Sequence, residues 1–363
     1  MLPKLLDTGL WGNCHIQGIA VDEAKGFIYY SFTTKLVKAR LQDGEIVGTA
    51  DGLLGHMGCI DFDPETGYVF GSLEYKHDII GKGVLEAIGK ETGKEQMALP
   101  EEDAFYMAIF DVDRIDRMDM DAVRDGIMRA AWLPEVVSDY RENGLDSHGR
   151  SAPHRYGCSG IDGTAIAPSF QADGTVSLLV AYGIYSDLGR EDNNHQIILE
   201  YSRDELIRTA MPLSQRKLHH SGPEKPLDKY FVYTGNTEWG IQNLEYDPVR
   251  KILWAAVYPG FKPEFPNFSL FAIDMKKAPV FERLRGMEEK GWQLSLKESG
   301  LFDAASGVWG YQFPHGSTGL YVSPGGDLLI SEHYRREGQQ GSLIHSYQYD
   351  GVLPFSHKEA DGR

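Results

Sequence analysis

Short apolar runs alternate with polar, glycine-containing turns along the chain, and five of these runs align without gaps over eight residues. They are HIQGIAVD from His15, HMGCIDFD from His56, GIDGTAIA from Gly160, GIQNLEYD from Gly240 and GSTGLYVS from Gly316. Each opens on a polar residue or glycine and carries a small residue in the third or fourth place. Each then closes in an apolar stretch before a turn. A second β-rich run follows: FIYYSF from Phe27, YVFGSLEY from Tyr68, VSLLVAYGIY from Val176, ILWAAVY from Ile252 and DLLISEHY from Asp327. The connections DEAKG, DPETG, QADG, DPVRK and SPGG have turn chemistry, so each unit is predicted to open with a hairpin.

Third strands are predicted at KLVKARL from Lys35, FYMAIFDVD from Phe105, QIILEYS from Gln196, SLFAIDM from Ser269 and SLIHSYQYD from Ser342. Fourth strands are predicted at EIVGTADGL from Glu45, RAAWLPEV from Arg129, KYFVYTG from Lys229 and WQLSLKESG from Trp292. The last unit has none before the polar tail FSHKEADGR. Because PKLLDTGLWGNCHIQGI is similar to VGTADGLLGHMGCI, residues 3–10 are expected to complete that unit. MDMDAVRDGIM from Met118 and FERLRGMEEKG from Phe281 read as short helices.

Repeated four-stranded antiparallel units give an all-β architecture that resembles the β-propeller superfold. Seven blades would be usual for 363 residues at ~40–50 residues per blade, but the chain has five inner-strand repeats. The surplus falls in loops, chiefly 76–104 and 138–157. The expectation is one propeller domain over 1–363. Its blades are near 14–54, 55–157, 158–237, 238–309 and 310–350, the last closed by 3–10. A sixth, degenerate blade within 76–157 is the alternative. The pattern resembles the five-bladed form, which includes arabinanase-like glycosidases, calcium-dependent apyrases and plant-type glutaminyl cyclases. The IQGI around Gln17 is similar to inner strands of the cyclases. No family's catalytic set maps residue by residue, and a fold does not supply a function.

The repeat decides where chemistry is sought. Inner-strand starts, second-strand ends and the long loops share one face in such a ring, so the mouth of the central channel there is the candidate site. Three imidazoles, His15, His56 and His315, recur at inner-strand starts, with His315 offset by one residue. Imidazole suits zinc, iron, manganese or nickel, and calcium held by oxygens is the alternative. A three-histidine centre resembles those of some larger propeller lyases acting on uronic-acid sugars. Glu74, Glu238, His333 and Tyr334 are the candidates for moving protons. Gln17, Tyr75, Lys76, Asp162, Tyr258 and Arg335 are the candidates for binding substrate. The tyrosines Tyr75, Tyr185, Tyr258 and Tyr334 end corresponding strands and are expected to form a wall of phenols. A glycosidase would need paired carboxylates about 5–10 Å apart, with Asp162 and either Glu238 or Glu74 as the pairing.

Composition narrows the ligand. The net charge of −17 argues against a nucleic-acid partner. Lys76, His77, Lys82, Arg150, His154, Arg155, Arg190, Lys262, Arg335 and Arg336 nevertheless fall on the site-face loops. They are expected to favour a small anionic molecule or sugar acid, unless neighbouring carboxylates pair with them. No window approaches the ~18–20 apolar residues of a membrane helix, and the first residues lack the pattern of a signal peptide. Three cysteines without CxxC spacing suit a reducing cytoplasm, with small buried packing as their expected role. The chain has no GxSxG, no GxxxxGK[ST] and no HExxH. The reading is a metal-dependent hydrolase or lyase on a small anionic substrate. A non-catalytic propeller, sensing a ligand or presenting an interaction face, is its rival.

Overall fold

A computed structural model describes residues 2–92, 100–171, 174–236, 238–351 and 354–358. Part of the predicted 76–104 loop, two residues of the QADG turn and the end of the polar tail lie outside these.

The repeats form the five blades of a β-propeller. The inner strands are Ile16–Asp22, His56–Phe62, Cys158–Pro168, Ile241–Asp247 and Leu320–Val322, in blades I to V. Each pairs antiparallel with the next strand in the chain, beginning with Ile16↔Phe32 in blade I. Blades I to III each have four strands paired side by side in chain order, ending at Ile46–Asp51, Met128–Trp132 and Asp228–Tyr233. Inner strands pack on their neighbours in chain order, and blade V packs on blade I.

Alternation of side chains explains why the sheets stack face to face. In the second strand of blade I, Tyr29 joins the core shared with blade II. Ile28, Tyr30 and Phe32 join the core shared with blade V. Three further clusters fill the II–III, III–IV and IV–V interfaces, so the molecule has five cores arranged in a ring. Each fully buried large apolar side chain contributes about 1.5–3 kcal/mol.

Closure occurs as expected. Leu5–Asp7 pairs antiparallel with Leu343–His345 and becomes the outer strand of blade V, with Leu6 buried in the V–I core. The supposed polar tail is a second outer strand. Phe355–His357 pairs with Tyr347–Tyr349, and Phe355 packs on Trp254.

Other expectations are corrected. Val280–Arg283 is a strand in a hairpin with Lys290–Gln293, not a helix, because Gly286 turns the chain at φ +76°. Residues 118–128 form turns around a short strand, Met120–Asp121. Asp119 (φ 59°) and Gly126 (φ 64°) break any helix, and Asp121 Oδ1 accepts the Val123 and Arg124 N–H groups. The predicted fourth strand of blade IV divides between two blades. Trp292 pairs parallel with Tyr230 of blade III, and Leu296 bridges to Ile273 of blade IV. The described helices are α1 (Ile79–Thr92), α2 (Pro134–Arg141) and α3 (Arg203–Thr209), all in connections outside the blades' consecutive strands. None is long and apolar enough to cross a membrane.

Candidate functional site at the channel mouth

The inner strands are irregular where the chemistry lies. Register shifts break the pairing at Ile16/Gly18, Met57/Ile60, Ile161/Thr164 and Ile241/Asn243. A bulge re-aims the side chain it carries, and here Gln17, Asp162 and Gln242 are at such positions. Glycines make the room. A Cβ at Gly58 would stand 2.6 Å from Ser72 Oγ and 3.0 Å from Asp162 Oδ1. One at Gly160, where φ is +121°, would collide with Glu74 Oε2.

The result is a polar cluster drawn from four blades. Gln17 Nε2 lies 3.2 Å from His56 Nε2, 3.5 Å from His15 Nδ1 and 3.3 Å from Thr33 Oγ1. With that amide donating to Nε2, a neutral His56 keeps its proton on Nδ1. The Nδ1 atom faces Glu74 Oε1 at 3.5 Å and Asp162 Oδ1 at 3.8 Å. Asp162 Oδ2 accepts from Gln242 Nε2 at 3.2 Å, and Gln242 also donates to the Trp239 carbonyl. Trp239 itself has a left-handed backbone, φ 59°, unusual for a bulky residue. Glu74 is buried and bound by Lys76 Nζ at 2.6 Å and the Ile161 N–H at 3.1 Å. Lys76 also donates to the Ser159 carbonyl at 2.6 Å.

Burial sets the proton affinities. Burial, with Glu74 nearby, pushes the Asp162 carboxyl up to about 7 despite the pull of His56 and Lys76. Burial would lower His56, but Glu74 and Asp162 outweigh it and hold the imidazole above its usual value. His15 is pushed down to about 4 by burial and by His56 and His333, so it is neutral near pH 7. Burial and Asp162 push the Tyr258 phenol up to about 12.

The three predicted metal ligands separate. His15 and His56 share Gln17, whereas His315 Nε2 lies 3.9 Å from Glu332 Oε2 in blade V. Among the described residues, the close-set group of ligand atoms is Glu332, His345 and His357. The trio therefore does not fit the three-histidine centre.

Several other candidates have different surroundings from those expected. Tyr75 is fully buried and donates to Gln215 Oε1 at 2.9 Å. Tyr185 donates to Asp78 Oδ2 at 2.7 Å, and Tyr334 to Asp7 Oδ1 at 2.7 Å. The phenols therefore form no continuous wall. Glu238 is half-buried, and its backbone N–H binds Asn236 Oδ1 at 3.1 Å. The His333 ring lies edge-on to His15, with centroids 5.9 Å apart, and Arg335 is exposed.

Many of the expected cations are also paired. Besides Lys76, Arg150 meets Asp146 at 2.5 Å, Arg155 meets Glu289 at 2.7 Å and Arg190 meets Asp192 at 2.8 Å. Lys262 is buried among carbonyl oxygens of Arg190 and Asn193. The sequence pattern places Gln242 at an inner-strand start, aligned with Gln17 and Asp162, but assigns it no role; it carries no signal for Trp239 or Asp78.

Below the mouth the axis is bridged. Asn243 Nδ2 donates to the carbonyls of Gln17 and Ser317, each at 2.9 Å. The buried Cys59 thiol lies 3.4 Å from both Asn243 Oδ1 and the Thr164 carbonyl. At the far end a cavity of about 530 Å³ opens among the turns that join first and second strands. Its carboxyls brace adjoining blades, half-buried Asp61 accepting the Ile166 N–H at 2.7 Å and buried Glu245 the Val322 N–H at 2.8 Å.

No family model matches the chain, and no curated protein matches it. Several solved structures align with it at low identity. A GH43 β-1,3-galactosidase, solved with galactodeoxynojirimycin, is 13% identical over 98% of this chain and 99% of its own, with a TM-score of 0.42. The glutaminyl cyclase of Myxococcus xanthus is 10% identical over 95% of each chain, with a TM-score of 0.36. A gluconolactonase of Xanthomonas campestris is 12% identical over 99% of this chain and 80% of its own, with a TM-score of 0.34. The assignment to five-bladed propellers rests on the strand pairing within this chain.

Proposed function

We propose that the channel mouth is an acid–base catalytic site that cleaves a small hydroxylated molecule of the sugar or sugar-acid class, by hydrolysis or β-elimination. One observation carries this reading: a carboxyl, Asp162, and an imidazole, His56, only 15% and 13% exposed, come from adjoining blades to 3.8 Å. Both have proton affinities displaced upward, that of Asp162 by burial and by Glu74, and that of His56 by Glu74 and Asp162 against the effect of burial. Perturbed groups of this kind concentrate at working sites. Hydrolysis and elimination each need one group to take a proton and one to return it, and the pair serves either. Neutral His15, Gln242 and Tyr258 offer acceptors and donors suited to hydroxyl groups. The ion-paired cations favour a hydroxylated ligand over a strongly anionic one. Glu74, held by Lys76 and the Ile161 N–H, positions His56 rather than meeting substrate.

Turnover of a panel of aryl glycosides, aldonolactones and uronic-acid oligosaccharides tests the proposal. Asp162→Asn and His56→Gln are each expected to lower kcat/KM about 10²–10⁴-fold on any substrate turned over. Unchanged turnover in both variants would remove the mechanism. The second reading, a ligand sensor, is favoured by the internal bonds of Gln17 to His15 and His56. It predicts saturable binding of a panel member without turnover.

A further inference from the structure

Blade V carries a second concentration of imidazoles, on the face of its sheet turned away from His15. Glu332 lies on Leu328–Arg336, His345 on Gln339–Tyr349 and His357 on the outer strand Phe355–His357. The register sets Ile330 opposite His345 and Tyr347 opposite His357. Residues 330, 332, 345, 347 and 357 therefore share one face. His333, next along the strand, points to the other face and meets His15.

We propose that Glu332, His345 and His357 bind a divalent transition-metal ion of the zinc class, with His315 within reach as a fourth ligand. One ligand atom from each of the first three lies within 4.8 Å of the others. His357 Nε2 is 3.0 Å and His345 Nε2 is 3.8 Å from Glu332 Oε1, and His315 Nε2 is 3.9 Å from Glu332 Oε2. Tetrahedral zinc with bonds near 2.1 Å sets its ligand atoms ~3.4 Å apart, so these spacings bracket the requirement. The donors are two or three imidazoles and one carboxylate. That set suits zinc, cobalt, nickel or copper and does not suit calcium, which takes six to eight oxygens.

The supporting contacts are also in place. Tyr347 Oη donates to Glu332 Oε1 at 2.6 Å and would keep the carboxylate oriented once an ion replaced its 2.7 Å contact with His357 Nε2. The rings of His345 and His357 lie 4.5 Å apart at 33°, so both present their edges to the same carboxylate. Glu332 and His345 are about one-fifth exposed and His357 about half, which gives an ion a route in and a free coordination position. The bound ion would tie the outer strand Phe355–His357 to the sheet. This site stands apart from the acid–base pair at the mouth and does not depend on it.

The experiment uses the full chain without a polyhistidine tag, stripped with EDTA and titrated with Zn²⁺ by calorimetry. One Zn²⁺ per chain is expected, together with a rise in melting temperature. Co²⁺ should give the visible bands of a tetrahedral centre. His345→Ala and His357→Ala should each weaken Zn²⁺ at least tenfold, and so should the near-isosteric Glu332→Gln, which guards against misfolding. The His15→Ala/His56→Ala pair should leave uptake unchanged. Absence of one-to-one uptake overturns the proposal. So does uptake that survives His345→Ala/His357→Ala, or uptake abolished by His15→Ala/His56→Ala.

Discussion

At Gly160 the backbone has φ +121° and a Cβ would run into Glu74 Oε2 and stand 2.9 Å from Phe105 Cε1. Gly160→Ala therefore combines backbone strain with overpacking and should cost about 3 kcal/mol or more in a denaturant titration. Asp162 makes a pH-dependent prediction. Its folded value of about 7 lies above the unfolded one near 4, so the native state holds the extra proton between them. Stability must then fall as pH rises through that window, by at most about 1.4 kcal/mol per pH unit for one proton. The upward shift of His56 acts with the same sign, its stabilisation present at low pH and lost as pH rises through its folded value. Asp162→Asn should match the wild type near pH 4 and exceed it increasingly up to pH 7. Melting curves across pH check this, and parallel profiles would contradict it. Sequence alignment located His15, Gln17, His56 and Asp162 but not their roles. Gln17 reads as a substrate ligand in sequence, yet its amide is occupied by two imidazoles. The one-residue offset of His315 was the legible warning, for its imidazole lies beside Glu332 instead of the other two histidines.

Strands were easier to read than helices. Period-two apolar runs bounded by glycine and aspartate turns identify nearly every blade strand, because burial on both faces favours β-branched and aromatic residues. The helices sit in connections where propensity competes with tertiary packing. All three still carry start signals. Asp78 Oδ1 accepts the Ile80 and Gly81 N–H groups ahead of α1, Ser202 accepts the Glu205 N–H at 3.3 Å as an N-cap, and Pro134 begins α2. The outer strand of blade IV was hard to place because its residues pair with blade III as well, whereas that of blade V, borrowed from the far end of the chain, was legible in the likeness of residues 3–10 to VGTADGL. Leu5–Asp7 shows the consequence. Leu6 is buried in the V–I core, so Leu6→Ala should cost about 2–5 kcal/mol. Deleting residues 2–8 should expose the Leu343–His345 edge and cause self-association at concentrations where the intact chain is monodisperse. Size-exclusion chromatography at graded concentrations reads this directly.

For the molecule as a whole, five cores in a ring mean that each blade has two neighbours and none is terminal. An open repeat array can fray from its ends, whereas a closed ring loses two interfaces when any blade leaves. Leu6→Ala in the V–I core and Trp254→Ala in the IV–V core should therefore shift one cooperative transition, seen identically by fluorescence and circular dichroism. Two resolved transitions would argue against it. The ring itself was legible from the five repeats, but the filling of its axis was not. Asn243, Cys59 and Gln17 meet there through contacts spanning up to 226 residues, which no local pattern encodes. The same separation governs biosynthesis. Leu5–Asp7 leaves the ribosome more than 330 residues ahead of its partners Leu343–His345. At roughly 5–20 residues per second that is a delay of about 17–70 s. Throughout it, blade I displays an uncovered apolar flank to solvent or to a chaperone, and the nascent protein is at its most vulnerable just before that clasp.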